Sequence, residues 1–330
     1  MSSFLLSFFL FLIPSFAMSP KEILDKGGYI LWDGGRKIYE YTKEKDFTDD
    51  SLLGFKHRPF QKNTMIRRTE SSIIYHFDFQ TNEFGRRIDP RFHSRDKKFF
   101  YIAYGCSYIF GTGLENQDTL TSSLNSSLKE THAYNFATGG IGPNFMLADL
   151  RREDFKKEVT QTEGIFHYFY LGAHVLRANG FMEQLSWYSE SPYFEKEGDI
   201  LVRRGNFNTG RPVLTKLYNF LRTVLNWSRW GNFPKPMDSH YLYTCDLISE
   251  SKKAFKKHFP KAKFVVSEHP LITYKMPPLL TECLKERGIT LIRKTLENPP
   301  DNYFIHQDGH PTGDFNKWYA SEIIKDLKLN

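Results

Sequence analysis

The sequence predicts a doubly wound α/β domain in which a parallel sheet is covered by helices on both faces. Three observations carry this. From Lys97 onward, short apolar runs alternate with longer helix-compatible segments, the pattern of strand–helix–strand crossovers. The aromatic run Phe99–Tyr104 ends at Gly105, and Ser107 follows at the start of a second element, where open α/β sheets expose their chemistry. Near the other terminus Asp308-Gly-His-Pro-Thr-Gly313 precedes a helical segment, so serine, histidine and aspartate all fall at element ends.

The elements follow in order. Residues 1–17 read as a signal peptide. The run from Ser3 to Ala17 is apolar and too short for a membrane span, and Ser15 and Ala17 are small residues at cleavage spacing. No basic residue precedes Lys21, and Met18 offers a rival start; export follows from the first reading and a cytoplasmic protein from the second. Residues 18–95 form an N-terminal appendage. Ser19-Pro-Lys-Glu22 opens a short helix as a capping box, and alternation from Ile73 to Phe79 predicts a strand closed by a turn at Gly85. Arg86 and Arg87 can hold a carboxylate or a phosphate; a solvated turn is the preferred reading.

The main domain is 96–330. Its strands are expected at 99–104, 133–137, 164–171, 263–267 and 289–292. Helices are expected at 118–128, 144–157, 279–287 and 314–327. The turn Thr138-Gly-Gly-Ile-Gly-Pro143 follows the second strand, and Gly172-Ala-His174 ends the third. At about 180–240 the alternation lapses around Trp187, Trp227 and Trp230. That stretch reads as an insertion near the catalytic edge, equally a lid or a surface excursion.

Composition narrows the class. With 330 residues, 40% hydrophobic and 25% charged, the chain can bury a sizeable core. Its 30 Phe and 18 Tyr are read as core filling before an exposed lipid or sugar surface. The net charge of +7 is scattered through Lys-Lys and Arg-Arg pairs, which excludes a nucleic-acid arm. No pair of the three cysteines has metal-ligand spacing. Cys106 is expected to point into the core; Cys245 and Cys283 are able to pair in an oxidising compartment, and the sequence does not decide it. His306-Gln-Asp-Gly-His310 resembles a metal cluster only in part, because the further Asp, Asn and His blocks are absent. No Gly-x-Ser-x-Gly elbow and no phosphate loop occurs, and no cofactor is implied.

Four separated blocks resemble the SGNH/GDSL hydrolase superfamily, in its order. Gly105-Cys-Ser107 stands at the first block, with cysteine where Gly-Asp-Ser has aspartate. Asn135-Phe-Ala-Thr-Gly-Gly140 is similar to the second. Gly172-Ala-His174 stands where the family has Gly-x-Asn-Asp, and Asp308-Gly-His310 stands at the Asp/His block. The third-block asparagine is replaced by His174, and the last block is Asp-x-His where many relatives have Asp-x-x-His. The resemblance spans 99–328 and implies a three-layer α/β/α fold with hydrolysis or transfer of acyl groups.

In residue terms, Ser107 needs a base within hydrogen-bond reach, and His310 can take its proton and return it to the leaving alcohol. Asp308 can orient the imidazole. Backbone N–H groups of Ser107 and Gly140, with the His174 side chain, are the candidate oxyanion donors. The expected activity is a serine esterase or deacylase on a small-molecule or glycan ester, an acylated carbohydrate in particular. An O-acyltransferase using the same residues and a silent binding protein on this fold are the alternatives. No membrane span is expected in the mature protein, and the sequence leaves the oligomeric state open.

Overall fold

The structure is a computed structural model that describes residues 18, 20–33, 36–182, 184–224, 235–271 and 275–329. The expected signal peptide, Ser19 of the expected capping box, Trp227 and Trp230 lie outside the described residues.

The N-terminal region comprises α1 (Pro20–Asp25), β1 (Tyr29–Asp33), β2 (Arg36–Thr42), β3 (Phe47–Asp50), β4 (Gly54–His57), β5 (Lys62–Arg68), β6 (Ile73–Thr81) and β7 (Arg87–Ile88). Sequence reading anticipated one strand here. The chain instead builds an antiparallel sheet in the order β1-β2-β5-β6-β7 and a separate β3-β4 hairpin. In β6 the alternation puts Tyr75, Phe77 and Phe79 inward on one face.

The main domain runs β8 (Phe99–Tyr104), α2 (Ser107–Phe110), α3 (Leu120–Ser127), β9 (Thr131–Asn135), α4 (Pro143–Leu150), β10 (Glu163–Tyr170) and α5 (Ala173–Ala178). Then come α6 (Leu185–Tyr188), the hairpin β11 (Pro192–Glu197) and β12 (Ile200–Asn206), α7 (Phe207–Gly210) and α8 (Pro212–Val224). It closes with α9 (Asp238–His258), β13 (Lys263–Glu268), α10 (Pro278–Glu286), β14 (Thr290–Ile292) and α11 (Gly313–Leu327). The central sheet is parallel throughout, in the order β14-β13-β10-β8-β9. Counted along the chain this is the flavodoxin-like order 2-1-3-4-5.

Side-chain alternation sorts the sheet's two faces into two cores. Phe100, Ile102 and Tyr104 of β8 and Phe166, Tyr168 and Tyr170 of β10 pack with α4, α9 and α10 residues such as Met146, Ile248 and Leu280. Tyr101, Ala103, Ile165 and Phe169 pack with α3 and α11, and with Tyr75, Phe77 and Phe79 of the N-terminal sheet. Both faces of the sheet are therefore dry, which explains the near-continuous apolar strands and the three-layer architecture. The largest fully buried side chains are all Tyr or Phe, so the aromatic content fills cores. Buried tyrosine hydroxyls need partners: Tyr101 meets His167 Nδ1 at 2.6 Å, and Tyr104 donates to Asp149 at 3.3 Å.

Several expected boundaries shift for physical reasons. The helix expected at 118–128 begins at Leu120, because Thr119 caps it by accepting from the Ser122 N–H. The helix expected at 144–157 stops at Leu150. The chain turns at Arg151 so that Asp149 and Glu158 converge on Arg86 and Arg152. Helix α9 was not anticipated, although Leu247, Ile248, Ala254 and Phe255 fall on one buried stripe.

The solvated turn at Arg86 and Arg87 is wrong. Arg86 is buried against the Phe136 ring; its Nη2 donates to both Asp149 oxygens at 2.8 Å and its Nε to Glu158 at 2.7 Å. Arg87 is buried among Phe77, Phe79 and Phe110 and donates to the carbonyls of Phe110, Gly111 and Leu114. Burial lowers its pKa to about 9, outweighing the opposing charges of Glu115, Asp46, Asp89 and Asp118. Cys245 of α9 and Cys283 of α10 form a disulfide, and Cys106 is a free, buried thiol.

Candidate active site

Strand β8 delivers its chain to the point where the sheet order reverses. Strand β9 lies on one side of β8 and β10 on the other, the switch point at whose carboxyl edge open α/β sheets place their sites. Gly105 permits the tight exit, since a Cβ there would lie 2.7 Å from Ile109 Cγ1. Helix α2 then starts at Ser107 and ends after one turn at Gly111, whose φ of 87° allows its N–H to return to the Ser107 carbonyl. The Asn135 amide donates to the Ile109 and Phe110 carbonyls at 3.1 and 3.3 Å, and Arg87 holds the same end of the helix.

The loop before α11 is equally constrained. Gln307 and Gly309 take positive φ, and Ile305 N–H bonds to the His310 carbonyl at 2.8 Å while the Asp308 N–H bonds to the Ile305 carbonyl at 3.1 Å. This brings Asp308 and His310 to one side. His310 Nε2 lies 2.8 Å from Ser107 Oγ, and His310 Nδ1 is hydrogen-bonded to Asp308 Oδ2. Burial opposes ionisation of Asp308 and is the largest single influence. The bond to His310 and the charges of His310 and Arg67 together outweigh it, and the carboxyl is held below its usual range.

His174 is placed in the first turn of α5, four residues beyond β10, and is fully buried. Its Nδ1 is bonded to the Tyr168 hydroxyl at 2.6 Å and accepts from the Leu171 N–H at 3.3 Å. A backbone amide only donates, so Nδ1 is unprotonated and the neutral ring carries its proton on Nε2. Burial, then the charges of Arg177 and His269, holds its pKa well below the ordinary histidine value. Nε2 has no hydrogen-bond partner among the described residues. Gly140 has φ 78° in the loop after β9, and that loop is tied to the turn that carries Ser107 by Thr138 N–H to the Gly105 carbonyl at 3.2 Å.

Sequence reasoning missed three further residues. The Tyr108 ring stands between His310 and His269, with centroids at 4.8 and 5.1 Å. His269 follows β13 directly and is buried, which lowers its pKa to about 3, with a smaller contribution from His310. Its place just past a strand was the available signal. Arg67 of β5 reaches Asp308 Oδ1 from the N-terminal sheet at 3.1 Å, and nothing in the local sequence marks it. A polar cavity of about 780 Å³ lined by Asp49, Asp50, Glu190, Arg203 and Asn206 contains none of these residues. Among the described residues, no His, Cys, Asp and Glu cluster is disposed to hold a metal ion.

No protein-family model matches the chain, and comparison with curated proteins finds no match. Among solved structures it is similar to a member of the lipolytic protein G-D-S-L family from Veillonella parvula, with TM-score 0.38 and 10% identity, covering 70% of this chain and 98% of that one. It is similar to the psychrotrophic esterase EstA from Pseudoalteromonas sp., with TM-score 0.38 and 12% identity, over 69% and 96%. A carbohydrate esterase family 2 enzyme with a carbohydrate-binding domain from Corynascus thermopiles gives TM-score 0.40 and 13% identity, over 92% and 100%. Likenesses at this level carry no conclusion about activity. The sheet order, with three motif blocks at or just past the ends of β8, β9 and β10 and the fourth in the loop before α11, all in chain order, decides the fold. The domain is SGNH-like in fold.

Proposed function

We propose that this protein is a serine-dependent ester hydrolase in which Ser107 is the nucleophile, His310 the base and Asp308 its orienting partner. One observation carries the reading: an unbroken chain of hydrogen bonds runs from Ser107 Oγ through both nitrogens of His310 to Asp308. With Nδ1–H donated to Asp308, Nε2 is the lone-pair nitrogen facing the serine, the tautomer a general base requires. Attack on an acyl carbonyl passes the Ser107 proton to His310, which returns it to the departing alcohol. Water then releases the acid by the same route.

For the oxyanion, the Ser107 N–H lies in the first turn of α2, where helical amides have no intrahelical acceptor. The Gly140 N–H and the Nε2–H of His174 complete the proposed set, and the orphaned state of Nε2 supports this. An acylated carbohydrate remains the proposed substrate class, on the family resemblance of the sequence. Export is the proposed location, and the Cys245–Cys283 disulfide supports it, since such bonds persist in oxidising compartments. No helix among the described residues is long and apolar enough to cross a membrane.

The test is labelling with a fluorophosphonate probe and mapping of the modified peptide, alongside hydrolysis of a short-chain aryl ester. Label on Ser107, lost together with turnover in Ser107→Ala, is expected. Full hydrolysis by Ser107→Ala, or an unlabelled wild type without turnover, overturns the proposal.

A further inference from the structure

We propose that Arg67 is a positioning residue for the Asp308–His310 pair, so that the N-terminal sheet is a working part of the active site. The Asp308 side chain is 2% exposed, and its two oxygens are divided between two partners. Oδ2 faces His310 Nδ1, and Oδ1 accepts from Arg67 Nη1 at 3.1 Å. With both oxygens engaged from different directions, the carboxylate cannot rotate away from the imidazole. Residue 308 is separated by 241 positions from the arginine that holds it, so the restraint comes wholly from tertiary packing.

Arg67 is itself held. It projects from β5, which lies between β2 and β6 in the N-terminal sheet. Its Nε lies 3.8 Å from Glu40 of β2. A second contact braces the same loop, because Arg36 of β2 donates to the Gln307 carbonyl at 3.3 Å. Behind the loop, Ile305 packs into the core that Tyr75, Phe77 and Phe79 of β6 share with β8 and α11. The sheet therefore fixes the backbone of the loop at residue 307 and its catalytic carboxylate at residue 308.

The arrangement has an electrostatic consequence. Around the pair stand Arg67 and Tyr75 of the N-terminal sheet with Glu40 behind them, Arg36 on the adjacent Gln307 carbonyl, Tyr108 from α2, and His269 beyond β13. Burial raises the Tyr75 pKa well above the ordinary value and that of Tyr108 to about 12, while His269 is lowered to about 3. On these shifts those three are neutral at neutral pH, while Arg67 on Asp308 and Arg36 on the Gln307 carbonyl bring positive charge to the loop. The guanidinium offsets part of the Asp308 charge as His310 experiences it.

The proposal rests on the hydrolase reading, and its test is chosen to separate the two. His310 is titrated by NMR in the full-length wild type, Arg67→Met and Arg67→Lys, its resonance assigned by its loss in His310→Ala. kcat and KM for a short-chain aryl ester are measured over the same pH range. In Arg67→Met, with the positive charge beside Asp308 gone, the imidazole should titrate at higher pH than in the wild type, and the acid limb of kcat/KM should move with it. kcat should fall roughly tenfold with KM nearly unchanged, because the loss is of orientation and not of substrate binding. Arg67→Lys should restore most of the titration shift but less of kcat, since a lysine is a point charge without the planar fork. An unchanged titration in Arg67→Met, or wild-type kcat in it, overturns the proposal. If Arg67→Met does not fold, Arg67→Lys decides: wild-type kcat there overturns, reduced kcat with near-normal titration supports. The titration needs no turnover. An inactive wild type showing the Arg67-dependent shift would overturn hydrolysis while supporting the hold of Arg67 on Asp308.

Discussion

Replacing His174 by alanine should separate two jobs done by one side chain. The ring is fully buried, and its Nδ1 receives the Tyr168 hydroxyl at 2.6 Å and the Leu171 N–H at 3.3 Å. Alanine leaves both donors without an acceptor. A buried donor left unpaired costs about 1–3 kcal/mol, so with the lost packing a destabilisation of about 3–5 kcal/mol is expected. The second job is catalytic in the proposed mechanism, where Nε2–H donates to the oxyanion. Removing one such donor lowers kcat by about 10²–10³-fold. KM should change little, because the bond forms mainly in the transition state. The two effects come apart in Tyr168→Phe/His174→Ala, which removes the hydroxyl together with its acceptor. That variant should regain about 1 kcal/mol of stability and none of the rate. His174→Asn should keep much of the activity, since its amide restores a donor. Urea denaturation measures the first effect. Steady-state hydrolysis of a short-chain aryl ester, at a temperature where every variant is folded, measures the second. The oxyanion assignment is refuted if His174→Ala keeps its kcat, if the double variant regains rate along with stability, or if asparagine serves no better than alanine.

Two further outcomes concern stability. Arg86→Met leaves Asp149 and Glu158 buried with Arg152 as their remaining cation, and should cost about 3–5 kcal/mol in urea denaturation; a loss under about 1 kcal/mol would show that Arg152 suffices. Stability should also fall on acidification below about pH 6.5. Burial depresses the folded-state pKa of His132 to about 4 and of His167 and His269 to about 3, with His174 also well below its ordinary value. The unfolded chain therefore binds more protons in this window, and each such histidine removes up to about 1.4 kcal/mol per pH unit as pH falls toward its folded value. Asp308, also depressed, adds to the loss in the same direction below about pH 4. Equal unfolding midpoints at pH 7 and pH 5 would contradict this account.

The strands of the central sheet were legible because a sheet buried on both faces needs continuous apolar runs, and Phe99–Tyr104 and 164–171 are such runs. Ser107, Asp308 and His310 were legible for a related reason. They stand just past element ends, and Gly105 and Gly309 mark the sharp turns that expose them. Such features are local, and local sequence carries them. The N-terminal sheet was not legible beyond one strand, because strands such as 36–42 and 62–68 mix charges with half-buried positions and show no clean alternation. Arg86 and Arg87 read as a charged turn. Their carboxylates, carbonyls and aromatic rings come from segments distant in the chain, and only packing brings those together. The same holds for the Cys245–Cys283 bond, which depends on α9 lying against α10. Arg67 is the clearest case. Chain order and residue type place an arginine in a strand; that it grips Asp308 follows from one sheet docking against another, a long-range arrangement that no local pattern encodes.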